Sequence, residues 1–187
     1  MPDHQHHFKY NERERLKLQD PRSILKSIGL KKGMTFIDLG SNDGFFTLPA
    51  AKIVGEKGKI IALDIDQEAL SKLTQKLKKE KINNTITILG PAEKSLPFKN
   101  IADIIFLGTV LHDFKDPAKV LKNSRKMLKD NGLIYDFDWR KIKSKLGPPF
   151  EIRLSQEEVK KLAQEAELKI KSTDIINDLF YEVKLKK

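Results

Sequence analysis

Small and acidic residues fill a short segment between two apolar runs in the first quarter of the 187-residue chain. The run Met34–Ile37 predicts a buried strand, and residues 38–44 (Asp-Leu-Gly-Ser-Asn-Asp-Gly) predict a tight turn. Apolar side chains then return at helical spacing in a predicted helix over 44–54. A strand, a glycine-rich turn and a helix in this order are typical of the nucleotide-binding corner of a doubly wound α/β sheet.

The residue types in this turn discriminate between nucleotide ligands. A dinucleotide fingerprint needs G-x-G-x-x-G because a pyrophosphate binds at the helix N-terminus. This chain instead has Gly40, Asn42 and Gly44, followed by an aromatic residue. Asp38 and Asp43 would repel a pyrophosphate and attract a cation. S-adenosylmethionine carries a sulfonium and an ammonium and no phosphate, so the turn favours this cofactor. The predicted cofactor-binding residues of the turn are Asp38, Gly40, Ser41, Asn42 and Gly44.

A second acidic residue follows at the interval that a βαβ unit sets. The next apolar run predicts a strand ending at Asp64, which lies 20 residues after Gly44. A carboxylate at this place can accept hydrogen bonds from both ribose hydroxyls, with Ile65 beside it as a further cofactor contact. Alternatively, Asp64 only ends the strand. Asp66 is the predicted N-cap of the following helix, because a helical apolar periodicity begins just after it.

Composition and length restrict the class of protein. The chain has no cysteine, which excludes disulfides, thiolate metal sites and thiol catalysis. It has no apolar run of about 18 residues and no signal-like N-terminus, so we expect a cytoplasmic protein without a membrane span. Its length predicts one domain over 1–187. We divide it into an N-terminal helical cap (1–30), a cofactor-binding core (31–138), and a loop, helix and hairpin (139–187).

The net charge of +10 raises the possibility of a nucleic-acid partner. The lysines cluster on a predicted amphipathic helix over 67–81 and in the C-terminal tail. We therefore interpret them mainly as a solvated surface, and nucleic-acid binding stays a less favoured alternative. His4, His6 and His7 could ligate a metal or fold over the cofactor, but a frayed polar terminus is the simpler interpretation, and we predict no metal site.

Strands and helices alternate over most of the chain, which predicts a parallel sheet with helices on both faces. Gly132 is the predicted left-handed residue that ends a helix, and Ser155 with Glu158 is a predicted capping box. The last two strands have the alternation of an antiparallel hairpin. Further predicted strands are 85–89, 101–107, 133–138, 168–173 and 179–185, and further predicted helices start at Pro21, Pro117 and Gln156.

The full series of motifs resembles the class I S-adenosylmethionine-dependent methyltransferases. Within them, the chain is most similar to the small group related to ubiquinone/menaquinone-biosynthesis C-methyltransferases. The resemblance covers essentially the whole chain and implies a Rossmann-like, mostly parallel seven-stranded sheet of order 3-2-1-4-5-7-6, with strand seven antiparallel. The motifs that carry it are Asp38-Leu-Gly, Leu96-Pro97-Phe98, Leu111-His112, Asp116-Pro117, Asp138-Trp139 and Gly147-Pro-Pro149.

Two positions depart from the pattern of that family. Asn42 replaces the middle glycine of the turn, which the chain can tolerate because asparagine adopts positive φ more readily than other non-glycine residues. Pro91 stands where relatives often carry an aspartate for the adenine amino group, so adenine recognition would fall to the Ala92 N–H and to Glu93. The resemblance also implies that Gly108 or its backbone holds the methionine portion.

The expected reaction needs few catalytic groups. Methyl transfer from a sulfonium is an in-line displacement, and a base is needed only when the acceptor must lose a proton. His112, just beyond the fourth strand, is the candidate catalytic residue, with a packing role as the alternative. We expect the acceptor to bind between His112, the Asp138-Trp139 corner and the loop over 139–154.

The favoured function is therefore a methyltransferase that acts on a small-molecule acceptor. The alternatives are methylation of RNA or protein, and a cofactor- or nucleotide-binding protein without transferase activity, including an oxidoreductase. The sequence identifies neither the acceptor nor the oligomeric state.

Overall fold

The computed structural model describes residues 12–187, whose apolar alternation builds one sheet flanked by helices. None of the helices in this range is long and apolar enough to cross a membrane. The helices are α1 (Glu12–Leu18), α2 (Pro21–Ser27), α3 (Thr47–Val54), α4 (Gln67–Lys79), α5 (Pro117–Met127) and α6 (Gln156–Glu165). The strands are β1 (Thr35–Leu39), β2 (Lys59–Asp64), β3 (Thr85–Leu89), β4 (Ala102–Gly108), β5 (Leu128–Trp139), β6 (Lys169–Ile175) and β7 (Phe180–Lys186). Short 3₁₀ turns cover Leu111–Asp113 and Phe150–Ile152.

The seven strands lie in the order β3-β2-β1-β4-β5-β7-β6. Strands β1 to β5 are parallel to one another, and β7 is antiparallel to both β5 and β6. The predicted fold class and strand order are confirmed. Because β1 and β4 are neighbours, the strand order reverses between them, and in such sheets ligands bind at that point, outside the carboxyl ends of the strands.

Side chains of each strand alternate between two apolar cores. Phe36 and Phe106 face the core that α2 and α3 cover, whereas Ile37 and Leu107 face the core that α5 and α6 cover. A smaller cluster lies between β2 and α4 and is centred on Leu73. Both faces of the central strands are thus buried, which explains their nearly continuous apolar sequences.

Three predicted helix starts are confirmed by their capping bonds. Asp20 accepts a hydrogen bond from Arg22 N at the start of α2, and Asp66 accepts from two backbone N–H groups at the start of α4. At the start of α6, Ser155 and Glu158 form the reciprocal bonds of a capping box. These bonds satisfy N–H groups that have no partner within the helix.

Two local predictions are wrong. The third helix begins at Thr47 and not at residue 44, because Gly44 has a φ of +95° and still belongs to the turn. Gly132 does not end a helix in the left-handed region; it lies buried inside β5. A Cβ at this position would lie 2.7 Å from the Ala102 carbonyl oxygen on β4, so close backbone approach accounts for the glycine.

Candidate active site

A cavity of about 1670 Å³ opens at the carboxyl ends of β1, β2 and β4. It lies at the strand-order reversal, where a doubly wound sheet binds its ligands. Small-ligand pockets usually have volumes of about 300–1,000 Å³, so this cavity has room for a cofactor and a second molecule. Its lining includes eight of the eleven predicted site residues: Gly40, Asn42, Gly44, Asp64, Ile65, Ala92, Glu93 and Gly108.

The glycine turn over residues 40–44 (the 40–44 turn) has three residues in the left-handed region. The φ angles are +74° at Gly40, 48° at Asn42 and +95° at Gly44, so the positive φ predicted for Asn42 is confirmed. Gly40 is also required by space, because a Cβ there would lie 2.5 Å from Val110 Cγ2. At Gly44 a Cβ would collide with Leu73. The close packing and the positive φ together account for glycine at both ends of the turn.

The carboxylate of Asp64 is held by backbone donors from two sides. Its Oδ2 accepts a hydrogen bond from Asn42 N at 2.7 Å, and its Oδ1 accepts one from Asp66 N at 2.9 Å. The 40–44 turn thus fixes the orientation of the acid on the cavity wall. Each carboxylate oxygen can accept a further hydrogen bond, which leaves capacity for two ribose hydroxyls.

Asp38 and Ser41, two predicted cofactor ligands, do not line the cavity. The Asp38 carboxyl is buried and accepts a hydrogen bond from Thr47 Oγ1 at 2.6 Å, which ties β1 to the start of α3. Burial raises the pKa of Asp38 to about 7, although the Thr47 hydrogen bond opposes this shift. Ser41 Oγ is buried and has no hydrogen-bond partner among residues 12–187.

The Ala92-Glu93 segment is fixed from α5, by a residue that sequence analysis did not single out. Asn123 Nδ2 donates hydrogen bonds to the carbonyl oxygens of Ala92 at 3.2 Å and Glu93 at 2.9 Å. Glu93 Oε1 in turn accepts from Lys115 N at 3.2 Å. A buried asparagine on an amphipathic helix was the available signal for this contact.

The other side of the cavity is formed by residues 109–114, which we call the 109–114 segment. Before it, Gly108 has no room for a Cβ, which would lie 2.6 Å from Phe106 and 2.7 Å from Phe46.

The 109–114 segment begins with a strained residue. Thr109 has a φ of 58°, which is an outlier for a β-branched residue and costs about 1–3 kcal/mol. Its N–H donates to the Phe137 carbonyl at 2.7 Å, and Val110, Asp113 and Phe114 line the cavity.

The His112 ring lies behind this segment and does not line the cavity. Its side chain is 3% exposed; Nδ1 lies 2.8 Å from Asp138 Oδ2, and Nε2 lies 3.5 Å from Asp113 Oδ1. Burial lowers the pKa of His112, but the carboxylates of Asp138, Asp113 and Asp136 outweigh burial and raise it to about 9. The ring is therefore an imidazolium at neutral pH, and an imidazolium cannot accept a proton.

The predicted acceptor position near Trp139 is wrong. Trp139 is 1% exposed and packs in the core under α2 and α3, with its ring centroid 4.4 Å from that of Phe180. The reason is the alternation of β5, where Asp138 and Trp139 must point to opposite faces of the sheet. Trp139 also contacts the following loop, because a Cβ on Gly147 would lie 2.7 Å from its ring.

The loop after β5 does not cover the cavity either; it closes on itself around one arginine. The Arg153 guanidinium is buried and donates hydrogen bonds to four carbonyl oxygens and one hydroxyl. The acceptors are the carbonyls of Arg140, Ile142, Leu146 and Pro148 and the hydroxyl of Ser144. No residue of this loop lines the cavity, so the predicted place of the acceptor beside the loop over 139–154 is not supported.

Comparisons with known proteins identify the family. A family model described as a methyltransferase domain matches residues 30–183. The chain belongs to this family. Over 92% of both chains it is also 31% identical, with a TM-score of 0.86, to the crystal structure of an S-adenosylmethionine-dependent methyltransferase from Aquifex aeolicus.

Two curated methyltransferases are similar over part of their length. A probable cobalt-precorrin-6B C(15)-methyltransferase of Sulfurisphaera tokodaii is 35% identical over 111 residues, 59% of this chain and 56% of that protein. The ubiquinone/menaquinone biosynthesis C-methyltransferase of Escherichia coli is 27% identical over 121 residues, 64% of this chain and 48% of that protein. The chain thus spans about half the length of the curated relatives it matches.

These comparisons confirm the predicted family and its cofactor class, S-adenosylmethionine. The individual site residues stay predictions. The predicted histidine cluster at His4, His6 and His7 lies outside the described residues. Within residues 12–187, no group of three or more His, Cys, Asp or Glu side chains could hold a metal ion.

The residues at the cavity fit this cofactor in two respects. Gly40 and Gly44 have no side chains, and Asp64 offers two oriented acceptors for ribose hydroxyls. The Asp64 carboxylate at this position would repel a pyrophosphate at close range.

Proposed function

We propose that the chain is an S-adenosylmethionine-dependent methyltransferase that acts on a small-molecule acceptor. The observation that carries this proposal is the Asp64 carboxylate, which the Asn42 and Asp66 N–H groups hold at the cavity wall. Each of these N–H groups uses one lone pair of a carboxylate oxygen. The remaining lone pairs can accept hydrogen bonds from the two neighbouring hydroxyls of a ribose. Both acidic and basic side chains line the cavity, and the acids nearest in sequence to Asp64 are Asp66 and Glu68.

When bound, S-adenosylmethionine supplies a methyl group on a sulfonium, which is activated for transfer. The chain itself binds and orients. Asp64 holds the ribose, and the Ala92 N–H with Glu93 is placed for the adenine. Gly108 lines the cavity at the end of β4, where the methionine portion would pass.

The acceptor would bind against the 109–114 segment, on the side of the cavity away from Asp64. Val110 and Phe114 provide apolar surface there, Asp113 provides one acidic group, and Leu16 of α1 adds a further apolar side chain. Fixed alignment of two reactants can contribute about 7–11 kcal/mol to the lowering of a barrier. Because methyl transfer needs no base for many acceptors, positioning and exclusion of water are sufficient roles for this wall.

Binding can be tested first by titration calorimetry. S-adenosylmethionine and S-adenosylhomocysteine are expected to bind at one site per chain, and NAD is expected not to bind. Binding of NAD with no binding of S-adenosylmethionine would instead favour a nucleotide-dependent oxidoreductase and would overturn the proposal.

Transfer can be tested with methyl-labelled S-adenosylmethionine and a cell extract separated into small molecules, RNA and protein. The label is expected in the small-molecule fraction. Label in RNA, with binding that weakens steeply as salt rises, would favour the alternative that the net charge of +10 suggests. Cofactor binding without any labelled product from a range of extracts would favour a protein without transferase activity.

A further inference from the structure

A buried ion pair lies directly behind the cavity wall. His112 belongs to the 3₁₀ turn Leu111–Asp113, and its ring is paired with Asp138 at the end of β5 through distances of 2.8 and 2.9 Å from Nδ1 to the two carboxylate oxygens. The side chains are 3% and 1% exposed, respectively. Asp138 Oδ1 also accepts a hydrogen bond from Trp139 N at 2.7 Å, which fixes the carboxylate on β5. The pair therefore joins the wall to the sheet.

The 109–114 segment needs such an attachment. It begins with Thr109, whose positive φ persists only if the surroundings impose it. Two contacts described in the structure tie the segment to β5: the Thr109 N–H to the Phe137 carbonyl, and the His112–Asp138 pair. Two residues that line the cavity flank His112: Val110 directly precedes the 3₁₀ turn, and Asp113 is its last residue.

The segment is also in contact with the 40–44 turn. Val110 packs so closely against Gly40 that a Cβ there would lie 2.5 Å from Val110 Cγ2. A shift of the 3₁₀ turn would thus move Val110 away from, or into, the turn whose Asn42 N–H holds Asp64. The ion pair, the segment and the 40–44 turn form one continuous set of contacts.

We propose that His112 is a positioning residue: charged and paired with Asp138, it holds the 109–114 segment against β5 and thereby sets the shape of the cavity. This inference rests on the proposed function for its catalytic consequence, but its structural part can be tested without methyl transfer. It differs from a base role, in which a neutral ring would take a proton from the acceptor. The ring does not line the cavity, which agrees with positioning and not with proton transfer.

The charged surroundings of His112 define its pH dependence. Asp113 faces it from the same 3₁₀ turn, Asp136 and Asp138 face it from β5, and Tyr181 and Glu182 belong to the neighbouring β7. Asp136 is buried, which raises its pKa well above the usual value, and Asp138 adds to the shift. It accepts a hydrogen bond from the Tyr181 hydroxyl at 3.3 Å. Of these groups, Asp138 lies nearest to the ring, at 2.8 Å from Nδ1.

The sign of the linkage follows from the raised pKa of His112. Its value of about 9 exceeds the ordinary 6.5, so the pair stabilises the fold fully below pH 6.5, and this stabilisation is lost as pH rises through about 9. Asp38 has a pKa of about 7 against the ordinary 3.8, so its effect on stability falls between about pH 3.8 and pH 7. Because the pKa of Asp136 is also raised, the contribution of His112 is measured as the difference between the wild type and a variant without the imidazole.

The test compares the wild-type chain with His112→Gln, whose amide keeps a hydrogen-bond donor but never carries a charge. The midpoint of urea denaturation and the affinity for S-adenosylmethionine are measured from about pH 6.5 to pH 10. In the wild type both should fall through about pH 9, with affinity weakening roughly five- to tenfold. In His112→Gln both should be lower at pH 7 and should fall much less than in the wild type as pH rises through about 9. Asp138→Asn breaks the same pair from β5 and should behave in the same way.

Three results would overturn the proposal. One is a His112→Gln chain that lowers turnover at unchanged cofactor affinity and stability, which is the behaviour of a base. The second is turnover that rises through about pH 9 in the wild type and not in His112→Gln, because a base gains activity as it deprotonates. The third is a His112 ring that titrates near its ordinary pKa of 6.5 by NMR of the wild type. The NMR titration needs no variant, so it decides even if the variants do not fold.

Failure of the proposed function has a different signature. A wild-type chain that binds no S-adenosylmethionine at any pH would remove the methyltransferase role, yet its denaturation midpoint would still fall through about pH 9. A denaturation midpoint that is flat with pH, together with normal cofactor binding, would remove the positioning role alone.

Discussion

The two sides of the cavity are held in place by different kinds of interaction. On the cofactor side, the 40–44 turn and Asp64 are joined by backbone N–H groups that donate to a carboxylate 22 residues further along the chain. On the other side, the 109–114 segment depends on a buried ion pair between residues 26 positions apart and contains a strained threonine. The first arrangement depends on backbone geometry, and the second depends on the charge of one imidazole.

Each side also has an ion pair, and the environments of these pairs differ. Lys76 Nζ lies 2.6 Å from Asp43 Oδ2 in the 40–44 turn, but both side chains are 39% exposed. Solvent screens such a pair, and exposed pairs typically contribute about 0–1 kcal/mol. The His112–Asp138 pair is almost completely buried. Removal of one partner therefore leaves the charge of the other without compensation in the protein interior. Loss of one charged side chain should therefore destabilise the 109–114 side more than the side of the 40–44 turn.

The largest expected effect comes from removing one acid on each side. Asp138→Ala should reduce the free energy of unfolding by about 3–5 kcal/mol, because it leaves the His112 charge buried without its main partner. Asp43→Ala, the matched change at the exposed pair, should reduce it by less than about 1 kcal/mol. Urea denaturation at pH 7 measures both. Equal losses would break the distinction between the two sides.

The next effect concerns cofactor affinity. Asp64→Ala should weaken S-adenosylmethionine binding by about 1.5–3 kcal/mol, the scale of a hydrogen bond to a charged group, with the fold kept. Ser155→Ala is the control, since it removes the cap of α6 away from the cavity, should cost about 1 kcal/mol of stability, and should leave affinity nearly unchanged. An unaltered dissociation constant for Asp64→Ala in calorimetry would remove Asp64 from the site.

A third change acts where the two sides meet. Gly40→Ala places a Cβ against Val110, whereas Gly29→Ala has nothing within 4 Å, although φ is positive at both glycines. In both variants the alanine has a positive φ and the same kind of backbone strain. The difference between their free energies of unfolding therefore measures the overpacking against Val110, which we expect to be about 1–3 kcal/mol. Thermal or urea denaturation of the pair measures it. Equal free energies of unfolding for the two variants would show that Val110 does not pack closely against Gly40.

The smallest effect measures backbone strain on each side. Thr109→Gly removes a β-branched residue from the left-handed region and should stabilise the chain by up to about 1 kcal/mol, after the entropy of glycine is subtracted. Asn42→Gly should change stability little, because asparagine tolerates this region, whereas Asn42→Val should lose both stability and cofactor affinity. Equal behaviour of Asn42→Gly and Asn42→Val would show that the positive φ at Asn42 has no energetic weight.

Sequence reasoning succeeded where the rules are local. The caps at Asp20 and Asp66 and the glycine turn follow from residue type and spacing over a few positions, and the family resemblance implied the strand order. The error at Trp139 was avoidable, because Tyr135, Phe137 and Trp139 alternate with acids and therefore share the apolar face of β5.

The contacts that sequence reasoning missed join residues that are far apart in the chain. Asn123 reaches the Ala92-Glu93 segment across about 30 positions, and His112 meets Asp138 across 26. Which side chains meet depends on the register of β4 against β5 and on the packing of α5, and neither is encoded in a local pattern. The strain at Thr109 is not visible in the sequence for the same reason. Tertiary contacts impose a positive φ that a β-branched residue does not favour.

The arginine-centred loop has a consequence for the susceptibility of the chain to proteases. Lys143 and Lys145 are exposed trypsin sites in a segment without helix or strand, which is the usual setting for a nick. Yet cleavage requires the backbone to detach over several residues, and four of the nearby carbonyls are bound by the buried Arg153 guanidinium. Cleavage at these lysines should therefore require local opening of the loop. The buried Arg153 side chain thus limits the rate at which an exposed peptide bond is cut.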